Sequence, residues 1–236
     1  MSEIELQIEK LKKEIASLED KKEQIPTYTF SRIKLNDLDN IIDIEERLAN
    51  KKFDEWFNSK IDISQDIVEF LENHIYNNRG LISTYNEEDL KLYFLAPIFN
   101  HINFKSFQRE FRAFYDEKMS YETDKFILKG EVDFMLALGL FKSKKPYFFI
   151  QEFKRAEEFS NPRPQLLAEM VAGLEISEVS SFKGAYIIGS IWNFVILEKL
   201  GENSYQYFVS ENFDSSKIDD LIDIYKNLIY IKNSIV

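Results

Sequence analysis

Apolar side chains in the first 25 residues recur at alternating intervals of four and three positions. The series, in which one position is a lysine, consists of Ile4, Ile8, Leu11, Ile15, Leu18, Lys22 and Ile25. Such a seven-residue repeat predicts a helix with one apolar stripe, and Ile alternating with Leu favours a parallel two-stranded coiled coil. We therefore expect residues 1–25 to pair the chain as a homodimer or higher oligomer. The alternative is one amphipathic helix folded onto its own domain.

The next segment, residues 26–82, is predicted to be helical. Pro26 ends the first helix, because proline cannot continue its hydrogen-bond ladder. Amphipathic spacing predicts two further helices, over 36–58 and 64–78. Nothing in this segment has the spacing of a catalytic site.

From residue 84 the periodicity changes, and helices alternate with β-prone runs. Helices are predicted over 86–100, 163–176 and 216–232, and strands over 107–115, 126–140, 147–154, 184–199 and 204–209. This order predicts that residues 83–236 form an α/β domain, with a mixed central sheet flanked by helices.

Composition narrows the possible classes of protein. Of 236 residues 44% are hydrophobic, which excludes global disorder, and the lack of cysteine excludes disulfides, zinc–thiolate sites and cysteine nucleophiles. With only two histidines, His74 and His101, a histidine-based metal site has little support. The sequence has no apolar run long enough for a membrane span and no leader-like start, so we expect a cytoplasmic protein without membrane contact.

The candidate chemistry lies in three short segments. They are Gly130-Glu131-Val132-Asp133, Gln151-Glu152-Phe153-Lys154, and Gln165. Residues two apart in a strand face the same side, so Glu152 and Lys154 project together at the end of a buried strand, and Asp133 can lie beside them. Two carboxylates without histidine form an all-oxygen site suited to Mg²⁺ or Mn²⁺. The alternative is a strand-end salt bridge.

These segments resemble the PD-(D/E)XK nuclease superfamily, which has the restriction-endonuclease-like fold. The likeness rests on Gly130 to Asp133, on the Glu-x-Lys of Glu152 to Lys154, and on Gln165 in the following helix. It extends to the segments 86–99 and 189–194, which are similar to nuclease domains of type I restriction subunits. Some members have a tyrosine four residues after the glutamine, where this chain has Glu169.

The resemblance implies a role for each motif residue. Asp133 and Glu152 would bind Mg²⁺ or Mn²⁺ together with the backbone carbonyl of Phe153, and Glu87 would assist at the metal or the water. Lys154 would orient the attacking water, and Gln165 would position Lys154 or the substrate. The implied activity is metal-dependent hydrolysis of phosphodiester bonds in nucleic acid, most simply DNA, in defence or repair.

The net charge of −11 argues against a nucleic-acid partner when it is taken over the whole chain. Between His101 and Gln165, however, twelve Lys or Arg residues outnumber ten Asp or Glu, and the remainder of the chain carries the acidic excess. We therefore expect DNA binding that is modest and sensitive to salt. The acidic balance keeps two alternatives open: an inactive nuclease fold acting as an interaction module through its coil and acidic helices, and an acidic DNA mimic.

Overall fold

The computed structural model describes residues 3–23, 25–49, 51–154 and 161–235, with the backbone alone at residues 3, 16–23 and 150. The helices are α1 Glu3–Glu23, α2 Leu35–Ile41, α3 Asp54–Phe57, α4 Gln65–Asn78, α5 Glu87–Asp89, α6 Ala96–Ile102, α7 Pro162–Ser177 and α8 Ile218–Ser234. Short 3₁₀ turns lie at Phe30–Arg32 and Ile82–Thr84, and a π-helical stretch, Leu90–Leu95, joins α5 to α6. The strands are β1 Thr27–Thr29, β2 Asp43–Glu46, β3 Lys105–Ser106, β4 Phe111–Glu122, β5 Ile127–Leu138, β6 Lys144–Lys154, β7 Ser181–Ile188, β8 Ile191–Gly201, β9 Ser204–Val209 and β10 Phe213–Asp214.

Within the described residues the ten strands form one mixed sheet, in the order β2-β9-β8-β7-β6-β5-β4-β3, with β1 beside β5 and β10 beside β8. Three pairs are parallel: β1 with β5, β2 with β9, and β6 with β7. The pair β6 and β7 is parallel because α7 lies in the crossover between them. The prediction of an α/β fold with a large mixed sheet flanked by helices is confirmed.

Two apolar layers cover the sheet. On one face, α7 and α2 pack over side chains such as Met135 and Val195. On the other face, α3, α4, α6 and α8 enclose a core rich in aromatic rings, including Trp56, Phe134 and Trp192. The sheet is therefore buried on both faces, which explains why its central strands are continuous apolar runs rather than alternating ones.

The predicted helix over 36–58 is wrong. The chain there forms α2, then strand β2, then the short helix α3. The physical reason is visible in the period: Ile42 and Ile44 are buried while Asp43 and Glu45 are exposed, which is the two-residue alternation of a strand. Because β1 and β2 hydrogen-bond to β5 and β9, the segment 26–82 joins the same sheet as residues 83–236.

Most of the elements predicted after residue 84 are found, with two adjustments. The predicted strand over 184–199 is two strands, β7 and β8, which turn at Gly189, whose φ of 60° favours glycine. The expected strand 107–115 is displaced, because β4 begins at Phe111 and runs on to Glu122.

The helix predicted for the N-terminal repeat is confirmed as α1. Its apolar side chains from Ile4 to Ile15 are between 48% and 69% exposed, so the domain does not cover this stripe in the described part of the chain. The later stripe position Leu18 lies among side chains that are not described. The pairing of two such helices stays a prediction.

Nowhere in the described ranges is a helix both long enough and apolar enough to cross a membrane.

Gly130 allows a close approach between β5 and the turn Phe30–Arg32. A Cβ atom at this position would lie 2.8 Å from Cδ2 of Phe30, whose side chain is fully buried. We expect Gly130→Ala to lower the free energy of unfolding by about 1–3 kcal/mol, because Phe30 must move within a close-packed core. Urea denaturation measures the change. The matched control is Gly201→Ala, where an added Cβ meets nothing within 4 Å; equal destabilisation by both changes would contradict this account.

Candidate active site

One open cleft, with a volume of about 680 Å³, brings the predicted side chains together. It lies where β4, β5 and β6 meet the first residues of α5 and α7. Its lining includes the full predicted set of side chains, Glu87, Asp133, Glu152, Lys154 and Gln165. Four separate elements of the fold therefore converge on one site.

The cleft opens because regular strand pairing stops at the site. The β5–β6 ladder ends at the pair of Phe134 with Gln151, just before Asp133 and Glu152 would face each other. Beyond that point the side chain of Asp133 takes over from the backbone, since its Oδ2 accepts a hydrogen bond from the Phe153 N–H at 3.0 Å. On the other side of Asp133, the neighbouring strand β4 is interrupted at Asp116, whose φ is 49°.

Glu152 and Lys154 project to the same face of β6, as their spacing predicts. Lys154 Nζ lies 2.6 Å from Glu152 Oε1 and 3.0 Å from Glu87 Oε1. Burial opposes the positive charge of Lys154, but the two carboxylates outweigh it and raise its pKa. Lys154 is therefore a permanent cation at neutral pH and not a general base.

Phe153, between these two residues, points to the opposite face of the sheet. Its ring is 1% exposed and lies 6.3 Å from the ring of Phe99. Its backbone N–H binds Asp133, and the ammonium group of Lys91 lies 5.7 Å from the centre of its ring. The role of its carbonyl as a metal ligand stays a prediction.

The carboxylate of Glu152 has no exposed surface. Burial, and after it the negative charge of Asp133, raise the pKa of Glu152 to about 8, although Lys154 acts in the opposite direction. Its Oε2 atom has no hydrogen-bond partner among the residues that the structure describes. A buried carboxylate with one oxygen unpaired lacks full compensation by positive charge, which disfavours its ionised form.

Glu169 is a site residue that sequence reasoning did not assign. It lies in α7, one turn after Gln165. The Nε2 atom of Gln165 donates a hydrogen bond to Glu169 Oε1 at 3.0 Å. Burial, followed by the charge of Glu152, raises the pKa of Glu169 well above its ordinary value. The signal was present in the sequence: residues 166–174 contain one charged side chain in a run that is otherwise apolar or glycine.

Lys91 is the second residue that was missed. Its Nζ lies 2.9 Å from Asp133 Oδ1 and 3.9 Å from Asp116 Oδ1. Burial lowers its pKa, but the pairing with Asp133 prevails and the net shift is upward. Lys91 follows Glu87 by one helical turn, and this spacing places both side chains on the same side of the helix.

The donor chemistry of the cleft fits a hard divalent cation. Four carboxyl groups, those of Glu87, Asp133, Glu152 and Glu169, lie around two ammonium groups, and a bound cation would replace the protons that the raised pKa values of Glu152 and Glu169 favour. The Oε2 atoms of Glu152 and Glu169 are both buried without hydrogen-bond partners in the described ranges. An excess of carboxylate oxygen suits Mg²⁺ or Mn²⁺. Over the same residues, no three acidic or histidine side chains already stand in a closed metal-binding arrangement.

Comparison of the chain with protein-family models and with curated proteins finds no match in either set. The geometry of the cleft and the resemblance of its motifs are therefore the observations that bear on function.

The buried carboxyl of Glu169 predicts a specific dependence of stability on pH. Its pKa in the folded chain is raised above the ordinary value of 4.5, so above that pH the unfolded chain binds fewer protons than the folded one. The free energy of unfolding must then fall as pH rises, by up to about 1.4 kcal/mol per pH unit for this group. Glu169→Gln removes the titration and should reduce this slope between about pH 5 and pH 8.

Urea denaturation of both proteins across that range measures the difference. Glu202→Gln, a change at an exposed carboxylate, is the control and should leave the wild-type slope in place. A constant difference between wild type and Glu169→Gln at every pH would show that Glu169 is ionised in the folded chain.

Proposed function

We propose that the chain is a Mg²⁺- or Mn²⁺-dependent nuclease with a restriction-endonuclease-like core, which hydrolyses phosphodiester bonds in DNA. The observation that carries the proposal is the convergence of Glu87, Asp133, Glu152, Lys154 and Gln165 on one cleft. The separation of β5 from β6 at Asp133 supports it, because it opens space beside the two central carboxylates. A cytoplasmic role in defence or repair is part of the same proposal.

Asp133 and Glu152 would hold the metal, with the Phe153 carbonyl and Glu87 as further ligands. A bound divalent ion would polarise the phosphate and lower the pKa of an attacking water. Asp133 is held for this role by two donors, the Phe153 N–H and the ammonium group of Lys91. Glu152 is held by its position in a central strand and by Lys154.

Lys154 acts as a fixed positive charge. Its raised pKa keeps it protonated, so it would hold the attacking water by donating a hydrogen bond and would stabilise the charge that develops on the phosphate. Glu87, less buried at 41% side-chain exposure, would hold the water from the side of α5. Gln165 is a positioning residue, which lines the cleft and is itself oriented by its hydrogen bond to Glu169.

Cleavage of labelled DNA in the presence of Mg²⁺ tests the proposal. We expect Asp133→Asn and Lys154→Met each to lower the rate by about 100-fold or more, because each removes charge from the reacting centre. Lys226→Met is the matched control, since Lys226 is also in an ion pair, with Asp223, but lies on α8. Cleavage at the wild-type rate by both site variants, or the same loss in the control, would overturn the proposal.

We also propose that α1 pairs two copies of the nuclease, which would supply the two active sites that cutting both strands of a duplex requires. The exposed apolar stripe supports it, since Ile8, Leu11 and Ile15 are each 48% or more exposed. Glu and Lys residues between them suit the outer positions of a coil.

Light scattering checks the pairing. We expect wild type to have twice the chain mass of 28.0 kDa, and the double variant Ile8→Lys/Ile15→Lys to have the single mass, because lysines at core positions of a coil repel one another. Lys13→Gln, on the same helix but outside the stripe, should remain dimeric. A wild-type protein that stays at 28.0 kDa would contradict the pairing.

The interaction module is the second candidate, and a specific observation favours it. Lys154 and Lys91 already neutralise part of the acidic cluster through ion pairs at 2.6–3.0 Å. Such a network is also what a purely structural ion-pair cluster looks like. On this alternative, α1 and the acidic helices would carry the function, and the site variants would change stability alone.

A further inference from the structure

Two turns at one end of the sheet form a surface that the proposed active site does not use. The β3–β4 turn, residues 107–110, and the β5–β6 turn, residues 139–143, are adjacent because β4 pairs with β5 at Phe111 and Leu138. The turns are joined directly: Gly139 N–H donates to Glu110 O at 2.6 Å, and Arg112 Nε donates to Leu140 O at 2.8 Å. We call this surface the two-turn surface.

The β5–β6 turn is tight. Gly139 has a φ of +93°, and a Cβ there would lie 2.0 Å from the carbonyl oxygen of Lys142, so only glycine fits. Together with the clamp from Arg112, this geometry holds the tip of the turn in a defined position. The tip residue, Phe141, is therefore presented to solvent by a constrained backbone.

Each turn exposes a phenylalanine. Phe141 is 93% exposed and Phe107 is 71% exposed, the highest values among the large apolar side chains that the structure describes in residues 83–236. The ammonium group of Lys105 lies 5.3 Å from the centre of the Phe107 ring. Exposing one such ring is unfavourable in water, and two on linked turns indicate a surface that binds a partner.

The same surface is strongly basic. Residues 105–112 and 139–145 contain six basic side chains and one acidic one. Glu117 and Glu178 also contact this segment, at Ser143 and Lys145, which leaves a local net charge of +3 within a chain of −11. Lys105, Lys142 and Lys144 are exposed. Positive charge concentrated beside exposed aromatic rings is the combination that binds a nucleic-acid strand, with lysines on phosphates and rings on bases.

We propose that the two-turn surface binds an unpaired stretch of nucleic acid, with bases stacked on Phe107 and Phe141 and phosphates contacted by the neighbouring lysines. The inference rests on the proposed function in taking nucleic acid as the ligand. It adds a second contact region, which would select substrates with single-stranded segments near the cut. Base stacking tolerates any sequence, so this contact would favour single strands over duplexes without favouring a particular sequence.

Charge favours nucleic acid over a second copy of the chain as the occupant, because a second copy would bring two surfaces of like charge together. Asp133 and Leu138 are five residues apart on β5, which corresponds to about 17 Å at about 3.3 Å per residue. The residues between them, Phe134 to Ala137, are buried, so the turns form a contact region separate from the cleft.

The test is binding of the full-length chain to fluorescein-labelled oligothymidine and to a labelled duplex, in EDTA so that cleavage is blocked, measured by fluorescence anisotropy. We expect Phe107→Ala/Phe141→Ala to raise the Kd for oligothymidine by about 5-fold or more and to affect the duplex less. Phe107→Leu/Phe141→Leu should give a similar loss, because leucine keeps apolar area but not the stacking plane. Tyr76→Ala, at a 58% exposed ring on α4, is the control.

The lysines have a separate readout. Lys142→Gln/Lys144→Gln should reduce the slope of log affinity against log salt by about 1.4, the value for two single-strand phosphate contacts. Lys12→Gln/Lys13→Gln on α1 should leave the slope unchanged. All these side chains are exposed, and thermal unfolding of each variant confirms that it remains folded.

An unchanged Kd and salt slope in the two-turn variants would overturn the inference. So would binding of wild type to phosphatidylserine vesicles that the phenylalanine variants lose while DNA affinity stays the same, which would assign the surface to a membrane. A different result would refute the proposed nuclease function without refuting this binding surface. A wild-type chain that binds oligothymidine through the turns but never cleaves with Mg²⁺ refutes the nuclease and leaves the binding surface.

Discussion

The carboxyl group of Glu152 is buried with only partial compensation of its charge, and the surrounding strands and helix α7 hold it in that position. Its side chain has no exposed surface, and Oε2 has no partner in the described residues. Lys154 supplies one positive charge at 2.6 Å, while Asp133 adds to the negative side. A buried carboxylate costs several kcal/mol unless its charge is met, and such strongly perturbed groups are found at functional sites and in structural ion-pair networks alike.

The surrounding architecture creates this condition. Strands β5 and β6 lose their pairing at the site, and the backbone donor of Phe153 is redirected to Asp133. Helix α7 packs beside the cleft with an almost wholly apolar surface, so the side chains of Glu152 and Glu169 are buried. Apolar burial stabilises the sheet and the helix, and this stability allows several carboxyl groups to be held close together.

Much of this was predictable from the sequence, for identifiable reasons. The strong apolar runs of β5 and β6, and the two-residue spacing of Glu152 and Lys154, specify strands and a shared face without knowledge of the rest. The strand β2 was missed because Leu38, Ile41, Ile44 and Leu48 are spaced by three and four positions, as in a helical stripe. Its pairing with β9 also depends on contacts more than 150 positions away. Lys91 and Glu169 were missed because their positions in the site arise from tertiary convergence, although Glu169 was visible as one charge in an apolar helix. The exposure of Phe107 and Phe141 could not be predicted from the sequence either, since phenylalanine residues next to apolar strands normally belong to the core.

The most direct test of the central claim is titration calorimetry of the purified, folded chain with Mn²⁺. If the uncompensated carboxylates form a cation site, wild type will give a saturable heat of binding, and Asp133→Asn and Glu152→Gln will each abolish it while circular dichroism shows an intact fold. A folded wild-type chain that gives no heat, or binding heat that survives both substitutions, would contradict the account and leave the acidic cluster as a structural ion-pair network.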